Sequence, residues 1–179
     1  MIHKDSIVLG GGCFWCLDAL YRRVSGVTEV ISGYAGGTQE SPAYWDLHKP
    51  GNTHAEVVKV SFDTEIIDLP TILEIFWVMH NPTTLNQQGN DIGIEYRSII
   101  LYNSANQKKV VEDSVQHVAT KLWEDPITTE IAPLVKFWPA EEEHQDYFHK
   151  NPEQGYCQII INPKVAKLKK KFTNLIAEQ

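Results

Sequence analysis

The residues with the most chemistry per position lie near the N-terminus, in Gly10-Gly11-Gly12-Cys13-Phe14-Trp15-Cys16. A thiolate is a good nucleophile and a thiol a poor one, so the question at Cys13 is what stabilises its negative charge. Phe14, Leu17, Leu20, Tyr21 and Val24 recur every three to four residues and predict a helix beginning at Cys13. The sulfur then stands at a helix N-terminus, among unpaired N–H groups and the positive end of the dipole. The glycines let the chain turn sharply and leave the sulfur uncovered. Cys16, one turn further on, points toward the helix body. Phe14 and Trp15 either pack in the core or line a pocket beside Cys13 that grips a small apolar group such as a thioether methyl.

The Cys-x-x-Cys pattern has three readings: two buried cysteines filling core space, half of a zinc site completed by Cys157 and histidines, or redox and nucleophilic chemistry. No second pair with zinc-site spacing occurs, and the glycines and aromatics favour the third reading. Within it, a thioredoxin-like disulfide oxidoreductase also presents a strand, a Cys-x-x-Cys and a helix. It starts with a compact βαβ unit, which is missing upstream here. Three cysteines, an odd number, speak against a secreted disulfide framework and for a reducing compartment.

The elements that must position these residues alternate along the chain. Asp5–Leu9 predicts a strand, the helix from Cys13 is stopped by Gly26, and Val27–Ala35 predicts a second strand. A glycine-led polar loop runs to about His54. Glu56–Asp63 alternates, with Val58, Val60 and Phe62 on one face and Lys59 and Ser61 on the other, and Glu56 by itself reads as an exposed charge. Asp68 and Pro70 start a helix through Met79, and Pro82–Glu95 is a long polar loop. Arg97–Tyr102 predicts a strand, Ser104–Trp123 a helix capped by Ser104, Ile131–Phe137 a strand, and Trp138–Lys150 a turn and short helix. The β-branched run Ile159-Ile160-Ile161 lies in Gly155–Asn162, ahead of a terminal helix over Pro163–Ala177. The expectation is one α+β domain over residues 1–179, a sheet with helices mainly on one face.

A net charge of −7 excludes a nucleic-acid surface, which needs a basic footprint. The basic run Lys164, Lys167, Lys169, Lys170 and Lys171 reads as the solvated face of the last helix. The apolar stretch from Ile7 is too short for a signal or a membrane span, and Met1–Ser6 does not supply a lipoprotein leader, so the expected compartment is the cytoplasm. A monomer without cofactor or metal is expected.

With these residues in place, the chain resembles the peptide methionine sulfoxide reductase A family, which reduces the S epimer of methionine sulfoxide. The likeness rests on Gly12-Cys13-Phe14-Trp15, Ser32-Gly33-Tyr34-Ala35-Gly36-Gly37, His54-Ala55-Glu56, Gly89-Asn90-Asp91 with Tyr96-Arg97-Ser98, and Ala140–Tyr156 with His144-Gln145-Asp146-Tyr147 and Lys150-Asn151-Pro152. In order, these span about Val8–Cys157. The resemblance implies a two-layer α/β roll with a ferredoxin-like core and an irregular C-terminal segment. It implies that Cys13 attacks the sulfoxide sulfur, that Glu56 protonates the sulfoxide oxygen, and that Tyr44 and Tyr96 hold that oxygen. Asp91 would reach the site through water, and Phe14 and Trp15 would form the methyl pocket. The substrate would be methionine sulfoxide, free or in proteins, and the reductant thioredoxin. Cys157 in Gly155-Tyr156-Cys157 matches the family's resolving cysteine, expected first on a flexible segment, with Cys16 taking the bond later. Cys16 stands where many members have glycine, Thr53 where glycine is common, and Glu95 where glutamine is common.

Overall fold

Residues 3–178 are described here, in a computed structural model of the chain. Strands β1 (Lys4–Gly10) and β2 (Val27–Ala35), joined through helix α1 (Phe14–Tyr21), both run antiparallel to β3 (Ala55–Asp63), which inserts between them. Helix α2 (Leu69–Met79) starts at Asp68, whose carboxylate accepts the Thr71 N–H at 2.9 Å, and Pro70 costs nothing in the first turn. The expected long loop after α2 contains a miniature hairpin, β4 (Gln87–Gln88) and β5 (Asp91–Ile92), and a 3₁₀ turn, Ile94–Tyr96. Strand β6 (Ile99–Tyr102) then pairs with β1. The order β6-β1-β3-β2 with α1 and α2 as crossovers is the ferredoxin-like arrangement.

Beyond this core, α3 (Ala105–Ser114) is capped by Ser104, which accepts the Gln107 N–H at 3.1 Å. It continues through a π-helical turn, Val115–Ala119, into α4 (Thr120–Leu122). The strand expected over Ile131–Phe137 is two strands on opposite edges of the sheet. β7 (Glu130–Pro133) runs parallel to β6, and β8 (Phe137–Pro139) antiparallel to β2. Between them Val135 is 94% exposed, because the chain leaves one edge to reach the other. Gly33 admits β8: a Cβ there would lie 2.5 Å from both the Phe137 ring and the Trp138 carbonyl. After α5 (Tyr147–Lys150), the isoleucine run forms a π-helical turn, Cys157–Ile161, merging into α6 (Asn162–Lys171). The last helix is shorter than expected; a 3₁₀ turn, Thr173–Leu175, follows it.

The helices cover one face of the six-stranded sheet, where Val58, Val60 and Phe62 meet Leu17, Leu20, Ile72 and Phe76 in the main core. A smaller cluster with Val8, Val57, Ile99 and Leu101 lies on the other face, against Leu134 and Phe137. Lys167, Lys169, Lys170 and Lys171 are exposed, as a solvated helix face requires. Among the described residues no helix is long and apolar enough to cross a membrane.

Candidate active site

Cys13 is the residue that starts α1, with extended backbone (φ −61°, ψ 130°). Gly12 before it has φ +90°, a left-handed turn, and donates its N–H to the Tyr96 carbonyl at 3.1 Å. The loop that carries Cys13 is thereby tied to the 3₁₀ turn that carries Tyr96. The sulfur is not uncovered, as the glycine run suggested: Cys13 is only 8% exposed. Burial pushes its thiol well above the ordinary range, and the nearby Glu56 and Cys16 push the same way. The Trp15 N–H in the first turn of α1 favours the thiolate, as a helix start should, but burial outweighs it. Resting Cys13 is therefore a thiol.

Glu56 faces the same region from β3. Its position continues the inward-facing series Val58, Val60 and Phe62, so it is buried, 1% exposed, where an exposed charge was the plain expectation. Neither carboxyl oxygen has a hydrogen-bond partner among the described residues. Burial raises its pKa well above the usual carboxylate range, and the charges of Asp91 and Glu95 add to the effect; the Phe14 N–H, which faces the carboxyl outside hydrogen-bond geometry, opposes it weakly. These effects favour the neutral carboxylic acid over the carboxylate.

Tyr44, in the 3₁₀ turn Tyr44–His48, and Tyr96 are half-buried, and neither hydroxyl bonds to another described residue. Burial first, and then Glu56 and Cys13, raise both phenols, which stay neutral donors. Phe14 is fully buried, 5.8 Å from the Tyr34 ring and 6.4 Å from Tyr44. Trp15 is half-buried and stacks on Tyr147 at 3.7 Å, 4° from parallel. Phe14 is thus part of the floor beneath Tyr44, while Trp15 keeps some exposed surface.

Asp91 contacts the site through a tyrosine. It accepts the Tyr156 hydroxyl at 2.7 Å, and that oxygen lies 3.7 Å from Cys16 Sγ. Tyr156 has one proton and gives it to Asp91, so the Cys16 thiol is the donor in the second contact. Cys157 is buried in the first position of the Cys157–Ile161 turn, where a flexible segment was expected. Its thiol is raised by burial and by Cys16, and Cys13 is raised in part by Cys16. All three cysteines are free.

Sequence reasoning missed several residues that shape this site. His144, 6% exposed, accepts from Trp15 Nε1 at 3.3 Å and stacks on Tyr44 at 4.3 Å. Because its Nδ1 accepts, its proton sits on Nε2, facing Glu141 at 3.5 Å and Glu143 at 3.8 Å. Tyr34 donates to Glu141 at 3.1 Å, and the Gln145 amide pairs with both backbone groups of Ser32, at 2.9 and 2.8 Å, fastening this segment to β2. The only signal for His144, Tyr147 and Tyr156 was their place inside the quoted family segments. Glu141, Glu143 and His144 are the one group with metal-ligand spacing among the described residues, and no cysteine belongs to it. Among the described residues a single strand, β1, precedes the two cysteines, so the βαβ unit that a thioredoxin-like oxidoreductase has upstream of its motif is missing.

A ferredoxin-like sheet that carries a buried thiol, a buried acid and two unpartnered phenols fits a thiol-based redox enzyme. The chain belongs to the peptide methionine sulfoxide reductase family, whose sequence model matches residues 5–176. It is 51% identical over 168 residues to a peptide methionine sulfoxide reductase MsrA of Pseudarthrobacter chlorophenolicus, covering 94% of this chain and 96% of that one. Among solved structures it is similar to methionine sulfoxide reductase A of Corynebacterium diphtheriae, with a TM-score of 0.81 and 33% identity, covering 86% of this chain and 78% of that one. It is also similar to Mxr1 from Saccharomyces cerevisiae in complex with Trx2, with a TM-score of 0.57 and 25% identity, covering 81% and 85%.

Proposed function

We propose that this enzyme reduces the S epimer of methionine sulfoxide, free or within proteins, by attack of Cys13 on the sulfoxide sulfur. The observation that carries this reading is Glu56, a buried acid with both oxygens unpartnered, beside a buried thiol. The sulfoxide oxygen is a strong acceptor that could take the proton of Glu56 and the hydroxyl donors of Tyr44 and Tyr96. Glu56 protonates that oxygen, and the proton that the Cys13 thiol gives up restores Glu56, so the step consumes no net proton. The substrate methyl would rest against Trp15 above Phe14. Oxygen passes to sulfur: the sulfoxide is reduced to the thioether and Cys13 is oxidised to sulfenic acid.

A second thiol then displaces hydroxide from the sulfenic acid, forming a disulfide and releasing water. Cys16 is the inferred first partner, because it stands one turn from Cys13 in α1 while Cys157 is buried in a separate turn. The inferred order is Cys13–Cys16 and then Cys16–Cys157, the reverse of the order the sequence suggested. An external dithiol restores the enzyme, and the yeast relative solved with Trx2 supports a thioredoxin in that role. Buried free thiols suit a reducing compartment, in keeping with the cytoplasm. The test is Cys13→Ser with a methionine S-sulfoxide substrate and a dithiol reductant. Turnover is expected to vanish, and substantial surviving activity would overturn the assignment.

A further inference from the structure

The turn that carries Tyr44 also carries Trp45, a residue that the reaction itself does not use. Trp45 is 73% exposed, the one exposed tryptophan, tyrosine or phenylalanine among the described residues. Its ring meets the Tyr44 ring edge-on at 5.3 Å. The backbone beneath it is held in place. Asp46 accepts the Ala43 N–H at 3.0 Å and the Lys49 ammonium at 2.7 Å, and Leu47 is buried in the main core. Joined to this turn by the His48–Glu95 bond of 3.0 Å, the turn that carries Tyr96 adds Ile94, 38% exposed. Each of the two phenols therefore has an exposed apolar residue on its own turn. A tryptophan left in water on a fixed backbone is the kind of anchor that binding surfaces use.

We propose that Trp45 is a specificity-determining residue: it binds an apolar side chain next to the oxidised methionine, and so favours a polypeptide over the free amino acid. This rests on the reading that Cys13 reduces a methionine sulfoxide whose oxygen Tyr44 holds. Cys13 is only 8% exposed, so the thioether end of the substrate enters and its main chain stays outside. A methionine sulfur lies roughly 4 Å from its own Cα, and consecutive Cα atoms are about 3.8 Å apart. A polypeptide whose sulfoxide oxygen meets Tyr44 therefore brings a neighbouring residue within reach of the ring beside Tyr44. The occupant is fixed by the site: it is the rest of the chain that bears the sulfoxide. Its side chain there is apolar, because the indole offers uncharged surface, Asp46 and Lys49 neutralise each other, and His48 is tied to Glu95. Free methionine sulfoxide has no neighbouring side chain to place against the ring.

Kinetics are measured on free methionine S-sulfoxide and on a blocked peptide with leucine on each side of the methionine S-sulfoxide. The quantity compared is the ratio of kcat/KM, peptide over free amino acid. In Trp45→Ser this ratio is expected to fall about tenfold, through KM for the peptide. Trp45→Leu, which keeps apolar surface, retains most of it. Ile66→Ser removes a similarly exposed side chain, 64%, just beyond the end of β3 remote from Glu56, and keeps the native ratio. A ratio unmoved in Trp45→Ser overturns the proposal. So does an equal fall on both substrates, which would mean that Trp45 only supports Tyr44. Binding is read separately in Cys13→Ser protein. The peptide is expected to shift tryptophan emission to shorter wavelength, and adding Trp45→Leu is expected to remove that shift. A shift that survives Trp45→Leu in full overturns the proposal, whatever the turnover. If the native enzyme reduces neither substrate while the Trp45 shift is present, the peptide surface stands and the reading of Cys13 falls.

Discussion

A carboxyl group buried without a partner costs a protein roughly 1–3 kcal/mol when neutral and more when ionised. β3 has no structural need of one at position 56, because its inward series is otherwise Val58, Val60 and Phe62. In the proposed reaction Glu56 is stability given up for chemistry, a trade common at sites that must meet a ligand. Two variants separate the terms. Glu56→Gln keeps the size of the side chain but cannot supply the proton, so kcat on a methionine S-sulfoxide should fall by roughly 10²–10⁴ with KM little changed. Glu56→Leu should be inactive yet more stable at pH 8, by about 1–3 kcal/mol in denaturant unfolding. A Glu56→Leu protein less stable than the native one would show that the carboxyl has a structural partner after all. The sequence alone favoured exposure for Glu56, because charged residues are rarely buried without a partner. The alternation of β3 held the contrary signal, since Glu56 shares its parity with the three inward residues.

At the scale of elements, α1 presents two thiols one turn apart and the Cys157–Ile161 turn presents the third. Cys13 lies just outside α1 and Cys16 within its first turn, where its N–H donates to the Cys13 carbonyl at 3.1 Å. Disulfide geometry is narrow, so closing Cys13–Cys16 requires that first turn to open. This is a smaller change than extracting buried Cys157 from its own turn and carrying it to Cys13. In native enzyme given one equivalent of sulfoxide without reductant, peptide mapping at early times should find Cys13–Cys16, replaced later by Cys16–Cys157. Cys16→Ser should instead accumulate a sulfenic acid that dimedone traps. An early Cys13–Cys157 bond would reverse the order. The elements themselves were largely legible: β1, β2, β3 and α2 lie within a residue or two of where periodicity and caps place them. The split of Ile131–Phe137 into β7 and β8 was not, because alternation records which residues are apolar and not which edge they join. The isoleucine run of residues 159–161 was equally ambiguous, since β-branched residues also occur in helices that pack one face on a core, as Ile161 does here.

For the molecule as a whole, the buried titratable groups pull stability in opposite directions as pH changes. Burial holds Asp18 up at about 6 despite its contacts with Arg22 at 2.9 and 3.1 Å, and raises Glu56 as well. Such acids favour the fold at low pH and work against it as pH rises through their folded values. His80 behaves in the opposite way. It sits at the end of α2, 4% exposed, donating through Nδ1 to the Phe76 carbonyl and accepting at Nε2 from the Ser98 hydroxyl at 2.8 Å, while Thr129 lies 2.7 Å from that hydroxyl. Both ring nitrogens are committed with a single proton between them, and burial lowers its pKa from 6.5 to about 4. The unfolded chain therefore takes up a proton that the folded one refuses. The stability that His80 contributes is complete above pH 6.5 and is lost as pH falls toward 4. The full pH curve mixes these groups, so the useful quantity is a difference. The stability of native enzyme minus that of His80→Gln, from denaturant unfolding, should shrink by about 2 kcal/mol between pH 7.5 and pH 5. Because His80 joins α2 to the start of β6, beneath the loop that carries Cys13, activity measured after incubation at pH 5 should follow the same trend. A difference that stays constant with pH would mean that His80 titrates alike in the folded and unfolded chains, and that the hydrogen-bonded chain through Ser98 does not hold it neutral.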